Sequence, residues 1–233
     1  MIDGKKAYFG NIVADYEKER IVEPIWDTEQ SFFGTYISKL PAESKLLDLP
    51  VGTGRFVSFY LNHNVRFTGC DISEDMLSFV KQKYNLPEGV LVNCSAEKLP
   101  FEESTFEYAI CCRLTHLISP ESLELMIQEF SRVVTKELVI HFFSLINTPI
   151  TESPKVRRKF GKTLILSGAR KIQKLLLKKQ DETNETPWAK IQNYSHQESD
   201  VNKCFIVNGW KIKSHEVFPD EQYKVDVYVL SKN

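Results

Sequence analysis

Asp48 stands just ahead of two glycines, Gly52 and Gly54, in the stretch LLDLPVGTGRF that runs from Leu46 to Phe56. A carboxylate followed by bare backbone lets a ligand come close to main-chain groups beside a negative charge. Two phosphate chemistries use turns of this kind. The first needs G-x-x-x-x-G-K-[ST]. The Gly-Lys-Thr at 161–163 has Val156 where the first glycine belongs, and no strand-like run precedes it. The second needs G-x-G-x-x-G between a strand and a helix, so that the helix N-terminus meets a pyrophosphate. Gly52 and Gly54 fit that pattern, but Val57 fills the third place.

A second acid, Asp71 in FTGCDIS, ends the next strand-like run. An acid there can accept two hydrogen bonds from ribose hydroxyls, in a nicotinamide dinucleotide or in S-adenosylmethionine alike. The latter carries an α-amino and an α-carboxylate group, a sulfonium, a ribose and an adenine, and has no phosphate to cradle. Asp48 suits its amino group, and Gly52 and Gly54 open the backbone to its methionine portion and ribose. Ile72 is an apolar residue next to Asp71, Ser95 and Ala96 follow the third strand-like run, and Pro50 belongs to the glycine turn. Cys112 and Arg113 end the fourth strand-like run, whose carboxyl end opens on the ligand crevice of an open α/β sheet. His116 follows closely and is the candidate general base, because its ordinary pKa lies near neutrality. His141, inside HFFS, reads as a satisfied core residue. Tyr16 and Arg20 share a helical face at i, i+4 spacing. Tyr8, Phe9 and Trp26 are pocket or packing residues.

The elements that must carry these groups are visible as texture. Short β-branched and apolar runs at 45–50, 65–71, 89–94, 106–112 and 137–144 read as strands, separated by segments with helical spacing. Ser73 caps a predicted helix over 74–84, with Glu74 and Asp75 at its positive end. Ser119-Pro120 is a cap with proline in the first turn, and Leu123, Ile127, Phe130 and Val134 then share a face. Such alternation predicts a parallel sheet covered on both sides. The tail departs from it: Trp210–Phe218 and Tyr223–Ser231, joined by a short turn, predict an antiparallel pair. A final helix is expected to open at Ser195 with Glu198 three residues later and to stop at Gly209.

Taken in order, LLDLPVGTGRF, TGCDIS and NCSAEKLPFEESTFEYAIC resemble the class I SAM-dependent methyltransferase family. Asp48 matches the acid of its first motif and Asp71 its ribose-binding acid. Tyr16 and Arg20 resemble a Y-x-x-x-R pattern of related enzymes, in which the arginine reaches the cofactor carboxylate. The resemblance implies a Rossmann-like α/β fold: a seven-stranded, mostly parallel sheet with an antiparallel C-terminal strand and helices on both faces. It covers about 40–145 and 195–233. Two positions depart from the pattern. Pro50-Val51 replaces the commoner Gly-Cys, and Ser95 stands where many members have an aspartate for the adenine amino group.

The 233 residues are 42% hydrophobic, enough for one sizeable core, so 1–233 is expected to be a single domain. Residues 1–40 read as an N-terminal helical cap and 145–195 as a basic helical insert or lid. Between Lys155 and Lys179 there are ten Lys/Arg and no Asp/Glu. The net charge of -1 provides no global attraction for nucleic acid. Neither a membrane-spanning run nor a signal peptide is read from the sequence, so a cytoplasmic location is expected. The five cysteines form no C-x-x-C pair and are read as reduced, buried packing residues; no metal site is expected. The functional expectation is methyl transfer from S-adenosylmethionine, leaving S-adenosylhomocysteine, to an O, N or C atom of a small-molecule acceptor. An acidic or membrane-held acceptor suits the basic insert. The alternatives are a non-catalytic SAM-binding or RNA-binding protein and, less favoured, an NAD(P)-dependent oxidoreductase.

Overall fold

The computed structural model describes Val13 and residues 25–145, 193–219 and 223–232. Helix α1 spans Trp26–Ser38. Then follow β1 (Lys45–Asp48), α2 (Val57–Asn62), β2 (Arg66–Asp71), α3 (Glu74–Tyr84), β3 (Leu91–Asn93) and β4 (Phe106–Cys111). After a 3-10 turn at Thr115–Leu117 come α4 (Pro120–Val133), β5 (Val134–Leu145), α5 (Glu198–Val207), β6 (Trp210–Pro219) and β7 (Tyr223–Lys232).

The seven strands form one sheet in the order β3-β2-β1-β4-β5-β7-β6. Strands β1 to β5 pair in parallel. Strand β7 lies antiparallel between β5 and β6. Because side chains alternate across a strand, neighbouring residues feed opposite layers. Leu47, Ala109 and Leu138 join the core under α4 and α5. Leu46, Tyr108 and Val139 join the core under α1, α2 and α3. Burial on both faces explains why these strands read as nearly continuous apolar runs.

The two serine caps are as expected: Ser73 accepts from Met76 N–H and Ser119 from Ser122 N–H. Asn85 closes α3 in the left-handed conformation. The final helix differs from its expected start. It opens at Glu198 after Gln197, which makes no side-chain cap, so the Ser195–Glu198 capping box is not formed. His196 is instead drawn to the Thr115 carbonyl, at 2.8 Å from Nε2, and this tether sets the approach of the chain to the helix. The basic stretch 155–179 and, Val13 apart, residues 1–24 of the N-terminal cap lie outside the described residues. Cys70, Cys111 and Cys112 are buried as expected, whereas Cys94 and Cys204 are only half-buried. Among the described residues no helix is long and apolar enough to cross a membrane.

Candidate functional site

Strand order reverses direction between β1 and β4, since the chain moves outward from β1 to β3 and then returns to β4 on the other side. Carboxyl ends of strands at such a switch point diverge and leave a crevice. A cleft of about 840 Å³, its mouth included, lies there. It is large enough for a nucleoside-sized ligand, by the usual pocket range of roughly 300–1,000 Å³. Its walls come from the β1–α2 turn (Pro50, Gly52), the end of β2 (Asp71, Ile72), the loop after β3 (Ser95, Ala96) and the loop after β4 (Arg113, Leu114). Seven expected site residues therefore meet on one surface: Pro50, Gly52, Asp71, Ile72, Ser95, Ala96 and Arg113.

Asp71 is 7% exposed and is held by backbone alone: Gly52 N–H donates to Oδ2 at 3.0 Å and Ser73 N–H to Oδ1 at 2.9 Å. Burial pushes its carboxyl up to about 6, and the N–H groups of Ser73, Gly52 and Ile72 pull the other way. Each carboxylate oxygen can accept more than one hydrogen bond, so a diol can be bound without displacing the two main-chain donors. Asn93 Nδ2 donates to the carbonyls of Asp71 and Ile72 at 3.1 and 2.9 Å, which fixes the corner. Ile72 is 40% exposed, an apolar side chain offered to the cleft.

The two glycines do different jobs. Gly52, at φ +51°, has nothing within 4 Å of where a Cβ would stand. Gly54, at φ +77°, would drive a Cβ to 2.2 Å from Val80 and 2.8 Å from Tyr84. Gly52 leaves space on the cleft wall; Gly54 seats the turn against α3. Of the two glycines expected at the site, Gly52 lines the cleft and Gly54 does not. Asp48 is also off the wall. It is 2% exposed, and burial pushes its carboxyl up to about 8; the Tyr60 hydroxyl facing it lowers it, and the Asp71 charge adds to the rise. Cys112 is buried in the core shared with α1 rather than lining the cleft. Ser95 turns its hydroxyl back on its own loop, where Oγ accepts from Glu97 N–H at 3.3 Å.

One group was not foreseen. Glu29, on α1, is 0% exposed and collects three side chains from three other elements. Arg113 grips it in two places, Nε on Oε1 at 2.8 Å and Nη2 on Oε2 at 2.9 Å. Arg55, from the glycine turn, donates Nη1 to Oε2 at 2.5 Å. His141 Nε2 lies 2.8 Å from Oε1. Burial alone would raise this carboxyl, but the His141 bond and the two guanidiniums outweigh it and hold it well below the usual range. Arg55 also donates to Gln30 Oε1 and the Trp26 carbonyl and lies 3.9 Å from the Trp26 ring centre, a cation–π contact. Arg113 takes a left-handed φ of +64°, rare for a residue with a side chain, at a position held by this two-point grip. The cluster bolts α1 to the glycine turn and to the ends of β4 and β5. Trp26 is thereby a packing residue. His141 is core, as expected, and serves this ion cluster.

His116 is not brought to the cleft. It sits half-buried in the 3-10 turn, with its ring 5.6 Å from that of Phe143, and its carbonyl accepts from Tyr194 N–H at 2.8 Å. Tyr8, Phe9, Tyr16 and Arg20 lie outside the described residues. Among the described residues no group of three or more His, Cys, Asp and Glu is placed to hold a metal ion.

Comparison with known proteins adds three findings. The family model described as a methyltransferase domain matches residues 46–137. A comparison with curated protein sequences finds no match. Solved structures share the fold at low identity. The chain is similar to magnesium protoporphyrin IX methyltransferase from Synechocystis, solved with bound SAH, at TM-score 0.64 and 16% identity, covering 99% of this chain and 100% of that one. A SAM-dependent methyltransferase from Methanosarcina mazei follows at TM-score 0.59 and 17% identity, covering 85% and 96%. The phosphoethanolamine N-methyltransferase 2 of Haemonchus contortus gives TM-score 0.58 and 11% identity, covering 89% of this chain and 53% of that one.

Proposed function

We propose that this chain, whose residues 46–137 match the methyltransferase-domain model, transfers a methyl group from S-adenosylmethionine to an O, N or C atom of a small-molecule acceptor. The observation that carries the reading is Asp71: a buried carboxylate, held from behind by two main-chain N–H groups, on the wall of a nucleoside-sized cleft at the switch point.

The residues present fit such a ligand. Asp71 would accept from the ribose hydroxyls. Ile72 and Ala96 would flank the adenine, and the bare Gly52 would let the backbone approach. Arg113, paired with Glu29, brings a guanidinium to the cleft wall. That charge suits an α-carboxylate. When bound, S-adenosylmethionine supplies a methyl group on a positively charged sulfur, already an able leaving group. The chain then has to align donor and acceptor in line and keep water out, with proton removal where the acceptor requires it. Cleft-wall residues described here include no histidine, so this reading assigns alignment to the cleft and no proton transfer to His116.

Calorimetric titration with S-adenosylmethionine, S-adenosylhomocysteine and NADH tests the cofactor. Micromolar binding of either sulfur compound, lost in Asp71→Ala and absent for NADH, is expected. Binding of NADH in place of both would overturn the proposal.

A further inference from the structure

Strand order decides how a nucleoside ligand must lie along the carboxyl edge of the sheet. Strands β1, β2 and β3 are consecutive neighbours. The glycine turn follows β1, Asp71 ends β2, and the loop 94–97 follows β3. With the ribose on Asp71 and the methionine portion beside Gly52, the base falls on the far side of Asp71, against the loop after β3.

That loop is fixed relative to Asp71. Cys94 N–H donates to the Asp71 carbonyl at 3.1 Å, and Asn93 Nδ2 holds the carbonyls of Asp71 and Ile72. Ser95 and Lys98 then close a tight turn, with Lys98 N–H on the Ser95 carbonyl at 3.1 Å. Ala96 and Glu97 are its two central residues, and both line the cleft. The loop therefore meets the base in one register, and its side chains decide which base fits.

Adenine differs from the oxo-purines at one edge. It carries an amino group that donates, where hypoxanthine and guanine carry a carbonyl oxygen that only accepts. Loop 94–97 has two side chains with oxygen, Ser95 and Glu97. Ser95 Oγ already accepts from Glu97 N–H at 3.3 Å, which turns it back on the loop. Glu97 brings a carboxylate, whose two oxygens have about four lone-pair sites and can accept from a base while holding another partner. Asp71 is the other carboxylate among the described residues of the cleft wall, and the ribose takes it.

We infer that Glu97 selects the base of the cofactor, an inference that rests on the methyltransferase reading: its carboxylate accepts a hydrogen bond from the adenine amino group and rejects an oxo-purine. A carboxylate facing a carbonyl oxygen sets two acceptors against each other, and a site built for a donor discriminates strongly against a ligand that lacks it.

The test is calorimetric titration of the full chain with S-adenosylhomocysteine and with S-inosylhomocysteine, which has a carbonyl oxygen in place of the amino group. The parent protein should bind the inosyl compound at least about tenfold more weakly, the loss of one charge-assisted hydrogen bond. Glu97→Gln can turn either its carbonyl or its amide NH₂ to the base. It should bind the inosyl compound more tightly than the parent does, and the preference for adenine should largely vanish. A gain in affinity cannot arise from misfolding. Asp71→Asn should weaken both compounds by a similar factor and keep the preference, because the ribose is common to both. Equal binding of the two compounds by the parent would overturn the inference. So would an unchanged preference in Glu97→Gln, or a preference lost in Ser95→Ala instead. In each of these cases S-adenosylhomocysteine still binds and the methyltransferase reading stands. Binding of neither compound by the parent would sink that reading and this inference together.

Discussion

Glu29 and Asp71 are both carboxylates withdrawn from solvent, and their surroundings push them in opposite directions. Glu29 is met by two guanidiniums and an imidazole, and its carboxyl is held well below the ordinary range. Asp71 is met by main-chain N–H groups, and its carboxyl is raised to about 6. Burial is common to both, so burial does not decide the outcome; the partner does. A carboxylate saturated by full charges is committed to the fold. One steadied by backbone dipoles keeps capacity for a ligand. The cation count makes the same point: Arg113 is on the cleft wall, yet two of its donors are spent on Glu29.

The largest effect should come from unbalancing the first region. Glu29→Gln keeps the shape but removes the carboxylate charge that both guanidiniums contact, and breaking a buried ion pair typically costs about 3–5 kcal/mol. Urea unfolding of the purified variant measures it. A loss under about 1 kcal/mol would mean that water screens the cluster and that the contrast with Asp71 is false. The same substitution at the second region should act on binding. Asp71→Asn puts an amide NH₂ against one of two N–H donors and removes the charge. It should weaken S-adenosylhomocysteine binding by about 1.5–3 kcal/mol, roughly 10- to 150-fold, while changing stability far less than Glu29→Gln. Equal effects of the two variants on both properties would erase the distinction.

Protonation sharpens the comparison further. The folded pKa of Asp71 lies above its unfolded value of 3.8, at about 6. Within that window the folded protein holds a proton that the unfolded chain has released, so this group's contribution to stability falls as pH rises. Glu29 has the opposite sign: its contribution is present above the unfolded value and lost only in strong acid. Ribose hydroxyls need the ionised carboxylate, so binding should strengthen as pH rises toward 6 and level off above it. The slope is at most tenfold per unit, about 1.4 kcal/mol. Titrations at several pH values, with Asp71→Asn as the flat control, read this directly. An equally steep slope in the variant would assign the titration to another group, Asp48 being the first to examine.

How much of this was legible follows from the range of each interaction. Ser73 and Ser119 were readable as caps because a cap and its N–H lie three residues apart. The strands were readable because both faces are covered, which leaves long apolar runs. Asp71 was readable from its place at a strand end. The Glu29 cluster was not, because its partners lie 26, 84 and 112 residues away and no local spacing marks them. Asp48 at the end of β1 and Gly54 in the turn after it are legible from the sequence, but their lying off the cleft wall is not. A motif gives the order of residues through a turn, and the packing of α3 decides which of them face outward. His116 was chosen for its ordinary pKa and its position after a strand, and neither property fixes the direction of a ring. The failed cap at Ser195 has the same origin: the tether from His196 to Thr115 spans 81 residues.

The smallest effect distinguishes the two glycines, which repeat the Glu29–Asp71 contrast in the backbone. Both are left-handed, so alanine at either position should cost about 1–2 kcal/mol of backbone strain. Gly54→Ala adds a collision with Val80 and Tyr84 and should lose about 1–3 kcal/mol more, as overpacked cores do. Gly52→Ala meets no atom within 4 Å in the protein, so its stability loss should stop at the strain alone. Its methyl group would stand on the cleft wall. Binding of S-adenosylhomocysteine should therefore fall in Gly52→Ala by more than its stability loss explains. In Gly54→Ala, the fraction that remains folded should still bind. If Gly52→Ala binds as the parent does, the space beside Gly52 is not where the ligand lies, and the cleft would have to be filled from the Ile72 and Ala96 side alone.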